Sequence, residues 1–326
     1  MPSSTAIQAP IATALAQFQT HYDTLFTHTD ALLGQVLSYV RSQQGKRMRP
    51  TLVLLTAQAL GQITQATLHA AATLELLHTA SLVHDDVIDE AATRRGHQAV
   101  HTLFDNKAAV LVGDYMLSLA LGESARTHHI EAVHTVAKLG QMLSQGELLQ
   151  LENLQATDFS EDRYFRIIRE KTAVLFNACL HLGALTSRTD LTNLQHTQLE
   201  ALGLHIGTAF QIRDDIFDYH TDDVGKPTGN DMQEGKLTLP AIYVINQTND
   251  PTLRQIGLDV RQGEASPKAI TTLVEAAHTQ GGIAYAEQCM HTHTTAAHAL
   301  IDTLFNPNQT REALHAFVDH VATRNK

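Results

Sequence analysis

The sequence contains no tryptophan, and aromatic residues make up only 5% of its 326 residues. Because 43% of the residues are nevertheless hydrophobic, we expect a sizeable core that is packed mainly by aliphatic side chains. Cysteine is almost as scarce. Cys179 and Cys289 are too few for a disulfide framework, so both are expected to be buried thiols.

Proline is missing from the whole interval between Pro50 and Pro227. Helix interiors exclude proline, so this interval can hold long helices. It is dense in Ala, Leu, Gln, Glu and His, and its Val and Ile residues are scattered rather than alternating. We therefore expect an all-α bundle that forms a single domain over residues 1–326. Helices are predicted at about 11–41, from 67 into the aspartates near 85, and at about 107–125, 130–153, 163–185 and 193–219.

Basic residues are fewer than acidic ones. The chain has 23 Lys and Arg residues against 34 Asp and Glu residues, which gives a formal net charge of −11. This balance argues against a general nucleic-acid binder, which normally displays a basic face. The N-terminus lacks the charged start and continuous apolar run of a signal peptide, and no stretch looks long enough to span a bilayer. We expect a cytoplasmic protein without a transmembrane segment.

Two aspartate clusters of identical spacing, Asp85-Asp86-Val87-Ile88-Asp89 and Asp214-Asp215-Ile216-Phe217-Asp218, stand in helix-patterned surroundings. Residues four apart share a helix face, so the first and last aspartates of each cluster lie close together. Like charges at this spacing cost about 0.2–0.5 kcal/mol on an isolated helix. The same costly arrangement occurs twice, which indicates a neutralising cation, and Mg²⁺ with its preference for carboxylate and phosphate oxygens fits best. Two solvated acidic patches are the alternative.

Basic residues are concentrated near these clusters. Gly45-Lys46-Arg47-Met48-Arg49-Pro50 and Thr93-Arg94-Arg95-Gly96 contain five of the 23 basic residues, and Lys226 and Lys236 follow the second cluster. Metal ions that bridge carboxylates to phosphates, with arginine adding bidentate hydrogen bonds, would surround a polyanion such as a diphosphate. By itself, the 45–50 segment is explained about as well by solvated surface.

Small residues precede the first cluster. Ala80 and Ser81 lie about one turn before Asp85 on the same helix face, and Leu77 and Leu74 continue that line. An apolar channel could therefore run down from the metal site. By spacing alone, an ordinary core stripe fits these residues better.

Several segments occur together in a fixed order. They are Gly45-Lys46-Arg47-Met48-Arg49-Pro50, His78-Thr79-Ala80-Ser81-Leu82-Val83-His84-Asp85-Asp86-Val87-Ile88-Asp89, Arg94-Arg95-Gly96, Lys171-Thr172, Phe210-Gln211-Ile212-Arg213-Asp214-Asp215-Ile216-Phe217-Asp218 and Gly235-Lys236-Leu237-Thr238-Leu239-Pro240. With these motifs the chain resembles the all-trans polyprenyl diphosphate synthases, in particular the long-chain hepta- and octaprenyl type. The resemblance covers about residues 30–290.

The resemblance implies the isoprenoid synthase fold, an all-α helical bundle with a central cavity. It also implies a Mg²⁺-dependent head-to-tail condensation of isopentenyl diphosphate with an allylic diphosphate. The allylic diphosphate ionises, the isopentenyl double bond attacks the cation, and loss of a proton to the released diphosphate restores an alkene. Three Mg²⁺ ions would bind with the allylic diphosphate. Their implied ligands are Asp85, Asp89, Asp214, Asp215 and Asp218.

Further roles follow from position in the motifs. The implied catalytic residues are Asp85, Asp86, Asp89, Lys171, Thr172, Gln211 and Asp214. The residues implied to hold isopentenyl diphosphate are Lys46, Arg47, Arg49, His78 and Arg95. The residues implied to contact the allylic diphosphate or the nascent cation are Arg94, Lys171, Thr172, Gln211, Lys226 and Lys236. The family implies a homodimer, with a heterodimer as the alternative.

Product length in this family depends largely on the residues just before the first aspartates, where enzymes that stop at C15 commonly carry an aromatic. The small Ala80 and Ser81 therefore imply an open channel and a product of about C30–C50. A short-chain enzyme with C15–C20 products and a catalytic subunit of a heteromeric synthase are the alternatives. The basic C-terminus, 323–326, is only loosely like the tails that close over the site in short-chain relatives and receives no role.

Other classes compete with this interpretation. Terpene cyclases and head-to-head condensing enzymes share the fold and metal chemistry, but cyclases typically have a mixed Asn/Ser/Glu triad in place of the second aspartate cluster and lack the Gly-Lys-Arg segment. A di-iron carboxylate bundle would use Glu-x-x-His pairs, which occur at Glu75–His78 and Glu131–His134. Such pairs arise easily by chance among 20 histidines, and an iron site would leave the basic segments unexplained. A non-catalytic subunit would not require the intact motifs.

Overall fold

The structure is a computed structural model that describes residues 4–43, 45–187, 189–220 and 229–324. Apart from a short hairpin of β1 (Thr93–Arg94) and β2 (His97–Gln98), these ranges are helical or connecting. A 3₁₀ turn spans Ala9–Ile11 and a π-helix spans Arg169–Ala173. The α-helices are α1 (Ser4–Gln8), α2 (Ala12–Thr24), α3 (Ala31–Ser42), α4 (Met48–Leu60), α5 (Gln65–Ile88), α6 (Val100–Phe104), α7 (Asn106–Arg126), α8 (Ile130–Leu154), α9 (Glu161–Ile168), α10 (Val174–Leu185), α11 (Asn193–Phe217), α12 (Asn230–Gln233), α13 (Leu239–Thr248), α14 (Pro251–Arg261), α15 (Pro267–Thr279), α16 (Gly282–Leu304) and α17 (Gln309–Thr323).

The predicted all-α fold is confirmed, but the single helix expected at about 11–41 is wrong. α2 ends at Thr24 and α3 begins only at Ala31. The backbone N–H of Asp30 is bonded to the His28 ring nitrogen at 3.1 Å. A side chain that bonds a nearby backbone group offers the chain an alternative to helical hydrogen bonding, and this contact lies within the break between α2 and α3.

The two helices that carry the aspartate clusters are anchored at their N-termini. Thr64 forms a capping box with Thr67 at the start of α5, and Thr192 forms one with Gln195 at the start of α11. The middle of α5 is buried almost all round, with Leu74 and Leu76 fully enclosed. A fixed start and a buried middle hold the last turn of α5, where Asp85 lies, in a set position.

Two glycines of α11 allow an unusually close approach to the chain segment 173–177. A Cβ at Gly207 would lie 2.4 Å from Ala173 Cα, and one at Gly203 would lie 2.4 Å from Asn177 Cα. Both distances are too short for any larger residue without a backbone shift. The glycines therefore seat the π-helix directly against α11, near the second aspartate cluster.

The thiols and one apolar helix differ from expectation. Cys179 is buried as expected, whereas Cys289 is only half-buried. Among the described residues, α7 is one helix that is long and apolar enough to cross a membrane, and 39% of its most apolar window is buried. By length and apolar character α7 could span a bilayer, contrary to expectation, and core helices of soluble proteins meet the same criterion.

Candidate active site

A cavity of about 1340 Å³ brings the two aspartate clusters together. One part of its wall is polar, with carboxylates and cations from both ends of the sequence. The polar lining residues are Lys46, Arg47, Arg49, Glu75, His78, Ser81, His84, Asp85, Asp89, Thr93, Arg94, Arg95, Ser144, Glu147, Lys171, Thr172, Gln211, Asp214, Asp231, Glu234, Lys236 and Arg324. The other part is apolar and includes Leu77, Leu82, Leu117, Leu143, Leu148, Leu151 and Leu175. The cavity thus offers contacts both for a polyanion and for a hydrocarbon chain.

Asp85 lies in this wall among competing charges. Burial, and then the negative charge of Glu147, raise the pKa of Asp85 to about 6, against the opposing effect of the Lys171 ammonium. Lys171 Nζ lies 2.6 Å from Glu147 Oε1. The Asp85 carboxylate is therefore short of positive charge and would be stabilised by a bound cation.

The other two aspartates of the first cluster already have cationic partners. Asp89 Oδ1 accepts a hydrogen bond from Lys236 Nζ at 3.2 Å, and this ammonium also bonds Glu234 at 2.8 Å. Asp86 is buried and accepts from Arg94 Nε at 2.7 Å. Asp86 does not line the cavity, so in the structure it acts by positioning Arg94.

Asp214 of the second cluster is paired with the C-terminal segment. The Arg324 guanidinium bonds the Asp214 carboxylate and lies over the Phe210 ring, 3.7 Å from its centroid. The Arg324 carbonyl accepts from the Arg213 guanidinium at 3.3 Å. Arg324 is almost fully buried, so a segment that the sequence left without a role reaches the predicted metal ligand.

Asp215 is directed away from the cavity. Its carboxylate accepts from the Tyr164 hydroxyl at 2.6 Å and from Gln211 Nε2 at 2.8 Å, and burial raises its pKa. In this position Asp215 orients Gln211 rather than facing a ligand. Its predicted role as a direct metal ligand remains a prediction.

Both carboxylate oxygens of Asp218 are also hydrogen-bonded, in this case to backbone N–H groups. Oδ1 accepts from the Asn230 N–H at 2.9 Å and Oδ2 accepts from the Asp231 N–H at 3.0 Å. These bonds anchor α12 beside the cluster. The consequence is that Asp231, a residue that sequence reasoning did not select, enters the cavity wall.

The π-helix turns two adjacent side chains toward different helices. Lys171 faces α8, where it meets Glu147 and also Gln150 at 3.3 Å. Thr172 faces α11 and donates to Gln211 Oε1 at 2.7 Å. Wide π turns often mark functional sites, and here the turn places a cation and a hydroxyl in the same cavity wall.

Arginines from the 45–50 segment form a buried basic pocket. Arg47 pairs with Glu75 at 2.9 Å and lies over the Tyr22 ring at 4.5 Å. Arg47 Nη2 and Arg49 Nε are buried without a hydrogen-bond partner among the described residues. Buried donors without partners are costly, so these two nitrogens indicate that an anion belongs in the pocket.

His78 and Arg95 complete this pocket. Burial, and then the charges of Arg49 and Arg95, lower the pKa of His78 well below its ordinary value. His78 is therefore neutral at physiological pH and can donate one hydrogen bond without adding charge. Arg95 Nη1 donates to the Gln43 carbonyl at 2.8 Å, which holds the guanidinium against the segment that precedes Arg47.

The two residues predicted to set product length are in different environments. Ser81 lines the cavity next to Leu77 and Leu82, whereas Ala80 is fully buried and is not part of the cavity wall. Lys226, predicted to contact the allylic diphosphate, lies outside the described residues. The other predicted substrate-binding residues all line the cavity.

Sequence reasoning missed several lining residues, among them the charged residues Glu147, Arg324 and Asp231. Glu147 and Arg324 give no sequence signal, because each is an ordinary charged residue of a helix or tail. Asp231 offers a weak one, since it follows Gly229 and Asn230 at the end of a turn-rich segment. Only the fold brings these charges to the aspartate clusters.

Comparison with known proteins identifies the family. The polyprenyl synthetase family model matches residues 30–277. The chain belongs to the polyprenyl synthetase family. It is 32% identical to octaprenyl diphosphate synthase of Escherichia coli (strain K12) over 275 residues, which are 84% of each chain. As a member of this family it is a trans-prenyltransferase.

Two solved structures illustrate the similarity. Geranylgeranyl pyrophosphate synthase from Bacteroides thetaiotaomicron is 42% identical, with a TM-score of 0.86 over 98% of this chain and 99% of that chain. Polyprenyl synthase from Caulobacter crescentus CB15, solved with calcium and isoprenyl diphosphate, is 28% identical, with a TM-score of 0.91 over 99% of this chain and 98% of that chain. The polyprenyl synthetase fold thus extends over nearly the whole chain.

The donor set of the site fits the metal on which this family in general depends, Mg²⁺. Asp85, Asp89 and Asp214 offer carboxylate oxygens, the ligands that Mg²⁺ prefers. Lys236 and Arg324 bond Asp89 and Asp214, so these carboxylates already attract positive charge from distant parts of the chain.

The di-iron alternative finds no support in the site. Glu75 is paired with Arg47, and Glu131 and His134 both lie exposed on α8. Within the part of the chain that the structure describes, neither Glu-x-x-His pair belongs to a cluster able to hold a metal. The cavity around the aspartates instead follows the polyprenyl synthetase pattern.

Proposed function

We propose that this chain condenses isopentenyl diphosphate head-to-tail with an allylic diphosphate and makes an all-trans polyprenyl diphosphate of about C30–C50. The observation that carries the proposal is one cavity lined both by carboxylates and cations and by a set of leucines. The relative from E. coli, an octaprenyl diphosphate synthase, supports a long product. We further propose that the whole chain is one domain and acts in the cytoplasm.

The basic pocket would bind the diphosphate of isopentenyl diphosphate. Lys46, Arg49 and Arg95 supply charge, and neutral His78 supplies a hydrogen bond. The buried Arg47 Nη2 and Arg49 Nε would gain phosphate oxygens as acceptors, which removes the cost of leaving them unpaired. Arg47 would contribute through Nη2, while its Nη1 stays bonded to Glu75.

The aspartates would hold three Mg²⁺ ions with the allylic diphosphate. Asp85, Asp89 and Asp214 are the proposed direct ligands, and Asp215 and Asp218 support the second cluster. When bound, Mg²⁺ stabilises negative charge on the departing diphosphate as a Lewis acid. The calcium and isoprenyl diphosphate in the C. crescentus relative are consistent with a metal and a diphosphate in this place.

The chain's own residues would orient the reacting groups. Three cations bind the departing diphosphate: Lys171, Lys236 and Arg94. Asp86 holds Arg94 in place. Gln211 accepts from Thr172 and donates to Asp215, so its side chain is held in one orientation in the cavity wall beside the proposed diphosphate site. The allylic C–O bond breaks with its electron pair on the diphosphate, the isopentenyl π electrons form the new C–C bond, and the diphosphate accepts the proton lost from the adjacent carbon.

A C20 product is the second candidate. It is favoured by the 42% identical geranylgeranyl pyrophosphate synthase from B. thetaiotaomicron, and it would require the apolar part of the cavity to close just beyond Ser81. A catalytic subunit of a heteromeric synthase is the third.

Sizing the products distinguishes these candidates. The purified chain is incubated with Mg²⁺, labelled isopentenyl diphosphate and a C10, C15 or C20 allylic primer, and the dephosphorylated products are separated by chromatography. Products of C30 or longer are expected. Termination at C20 would favour the second candidate, and no product with any primer would indicate a required partner chain.

We propose a homodimer formed through α7 and α8. Large apolar side chains that do not line the cavity are exposed along these two helices, at Val110, Leu111, Leu121 and Ile130, with Ile130 and Leu111 about 70% and 67% exposed. A patch of this kind marks an interaction site, and a second copy would also explain the apolar face of α7 without a membrane.

Leu111→Asp combined with Leu121→Asp should convert a dimer to a monomer in analytical ultracentrifugation. Leu194→Asp, at an exposed leucine of α11, should not. A wild-type monomer would contradict the proposal.

Magnesium binding should weaken in acid. The pKa of Asp85 is raised to about 6, so below this pH a proton occupies the carboxylate that Mg²⁺ needs. We expect the apparent dissociation constant of Mg²⁺, measured by calorimetry with a non-reactive diphosphate present, to rise up to about tenfold per pH unit below 6 and to change little between pH 7 and 8. An affinity that is independent of pH from 5 to 8 would exclude Asp85 as a ligand with this pKa.

Arg324 should compete with Mg²⁺ for Asp214. Arg324→Met removes the charge but keeps an unbranched side chain over Phe210, so we expect half-maximal activity at a Mg²⁺ concentration about three- to tenfold lower. A net contribution of about 0.7–1.4 kcal/mol, within the range of a typical intramolecular hydrogen bond, corresponds to this three- to tenfold change. Arg311→Met, which removes an arginine of α17 that pairs with Asp302, is the matched control. A higher Mg²⁺ requirement in Arg324→Met would mean that this arginine helps the metal-bound state.

A further inference from the structure

Three helices direct metal-ligand side chains to one point far from the aspartates. His21 of α2, His69 of α5 and Glu123 of α7 present atoms that all lie within 4.8 Å of one another. Sixteen residues of α5 separate His69 from Asp85, which corresponds to about 24 Å of helix. None of the three residues lines the active-site cavity, so this cluster is separate from the prenyl transfer site.

The geometry of the cluster is convergent. His21 Nε2 lies 2.6 Å and His69 Nδ1 2.7 Å from the same atom, Glu123 Oε2, and the two rings stand edge to face with centroids 4.9 Å apart. Glu123 is only 2% exposed, and a carboxylate at such depth requires compensation. The charge nearest its second oxygen is Arg126 Nε at 3.7 Å, on a largely exposed side chain.

We propose that His21, His69 and Glu123 form a structural site for a borderline divalent transition ion of the Zn²⁺ class. Two imidazoles and a carboxylate are a donor set that such ions favour, whereas Mg²⁺ favours oxygen ligands alone. Each imidazole would present a lone pair on the nitrogen that faces Glu123 and carry its proton on the other ring nitrogen. The proposal does not depend on the reaction proposed above.

Small side-chain movements are enough to admit the ion. At about 2.0–2.1 Å from a tetrahedral ion, nitrogen and oxygen ligands stand roughly 3.3 Å apart, so each histidine nitrogen must move about 0.6 Å from Glu123 Oε2. The His21 side chain is 21% exposed, which leaves a path for the ion and for a water as the fourth ligand. The bound ion would fasten α2 to the two helices that form one wall of the cavity, α5 and α7.

Cobalt titration in excess Mg²⁺ tests the site. Mg²⁺ occupies the aspartate clusters, and the visible absorption of Co²⁺ reports imidazole coordination in chelator-treated protein. We expect one Co²⁺ per chain, displaced by Zn²⁺. His69→Ala and His21→Ala should each weaken binding by at least about 10- to 100-fold, the loss that even the outer partners of metal ligands produce. His134→Ala, an exposed histidine of α8, should leave binding unchanged.

Further measurements separate this site from other causes of a signal. His69→Gln keeps a hydrogen-bonding side chain of similar reach, so its metal-free unfolding temperature should stay close to that of wild type while the increase produced by Zn²⁺ disappears. Absence of Co²⁺ absorption in the wild type would mean that the three residues only form hydrogen bonds with one another, and it would overturn the proposal. Binding that survives His69→Ala but is lost in Asp85→Asn would assign the ion to the aspartates and would overturn it equally.

Discussion

Asp85→Asn is expected to lower kcat/KM for condensation by about 1000-fold or more. Asp85 lies in the polar wall of the cavity, and among the described residues no cation is paired with it as Lys236 is with Asp89 and Arg324 with Asp214, so we expect Mg²⁺ to be its partner. Removing one group that stabilises charge in a transition state typically costs about 100- to 1000-fold, and a misplaced metal adds to this loss. Steady-state kinetics with labelled isopentenyl diphosphate over a range of Mg²⁺ concentrations measures the effect.

The same substitution should not damage the fold. The pKa of Asp85 is about 6 in the folded chain, against an ordinary value of 3.8. Between these values the unfolded chain releases the proton first, so ionisation of Asp85 opposes folding, and this cost is fully present above pH 6. A neutral asparagine removes it, and the unfolding temperature at pH 7.5 should be unchanged or higher.

Asp30→Asn provides the matched control, because Asp30 is a largely exposed aspartate in the turn before α3. It should retain activity within about twofold, as surface substitutions usually do. If Asp85→Asn kept wild-type activity with an unchanged Mg²⁺ requirement, the first aspartate cluster would not be a metal site, and the proposed mechanism would lose its main support.

Ser81→Phe is expected to shorten the product from C30 or longer to C15–C20. Ser81 lines the cavity beside Leu77 and Leu82, so a phenylalanine there projects into the space that the growing chain needs. Each CH₂ that the cavity can no longer bury forfeits about 0.8 kcal/mol, which favours release after fewer condensations. Chromatography of the dephosphorylated products with a C10 primer measures the change.

Two further variants distinguish a blocked channel from a damaged protein. Ser81→Ala keeps the wall small and should leave product length unchanged. Ala80→Phe places the same bulk in a fully buried position outside the cavity, where overpacking costs about 1–3 kcal/mol of stability, so it should lower the unfolding temperature. If Ser81→Phe left product length unaltered, the growing chain would have to follow another path.

The sequence alone predicted the elements whose signals are local. The bounds of α5 and α11 were close because both helices have continuous periodic patterns that end near their aspartates. The single helix expected at about 11–41 was wrong because the interaction of His28 with the Asp30 backbone leaves no mark on hydrophobic periodicity. The π-helix was invisible for a similar reason, since a shift of hydrogen-bond partners by one residue does not change the character of the side chains.

The candidate site could likewise be predicted only in part. Motifs supplied most of the lining residues, but not the contact of Arg324 with Asp214, whose partners are 110 residues apart in sequence. The engagement of Asp215 with Tyr164 likewise depends on helix packing. The cluster of His21, His69 and Glu123 could not be recognised as a pattern, because its members come from three helices and share no spacing. Contacts of this kind are fixed by tertiary structure rather than by local sequence.

The π-helix at Arg169–Ala173 also bears on how this family can change over time. A wide turn amounts to one extra residue within an otherwise regular rod, and deleting that residue would convert the stretch from Glu161 to Leu185 into a continuous α-helix with better hydrogen bonding. Side chains before the deletion would then rotate by about 100° around the helix axis relative to those after it, so Lys171 and Thr172 would not both keep their present partners on α8 and α11. We therefore expect a deletion that makes this helix regular to lower activity, and selection to preserve the irregularity.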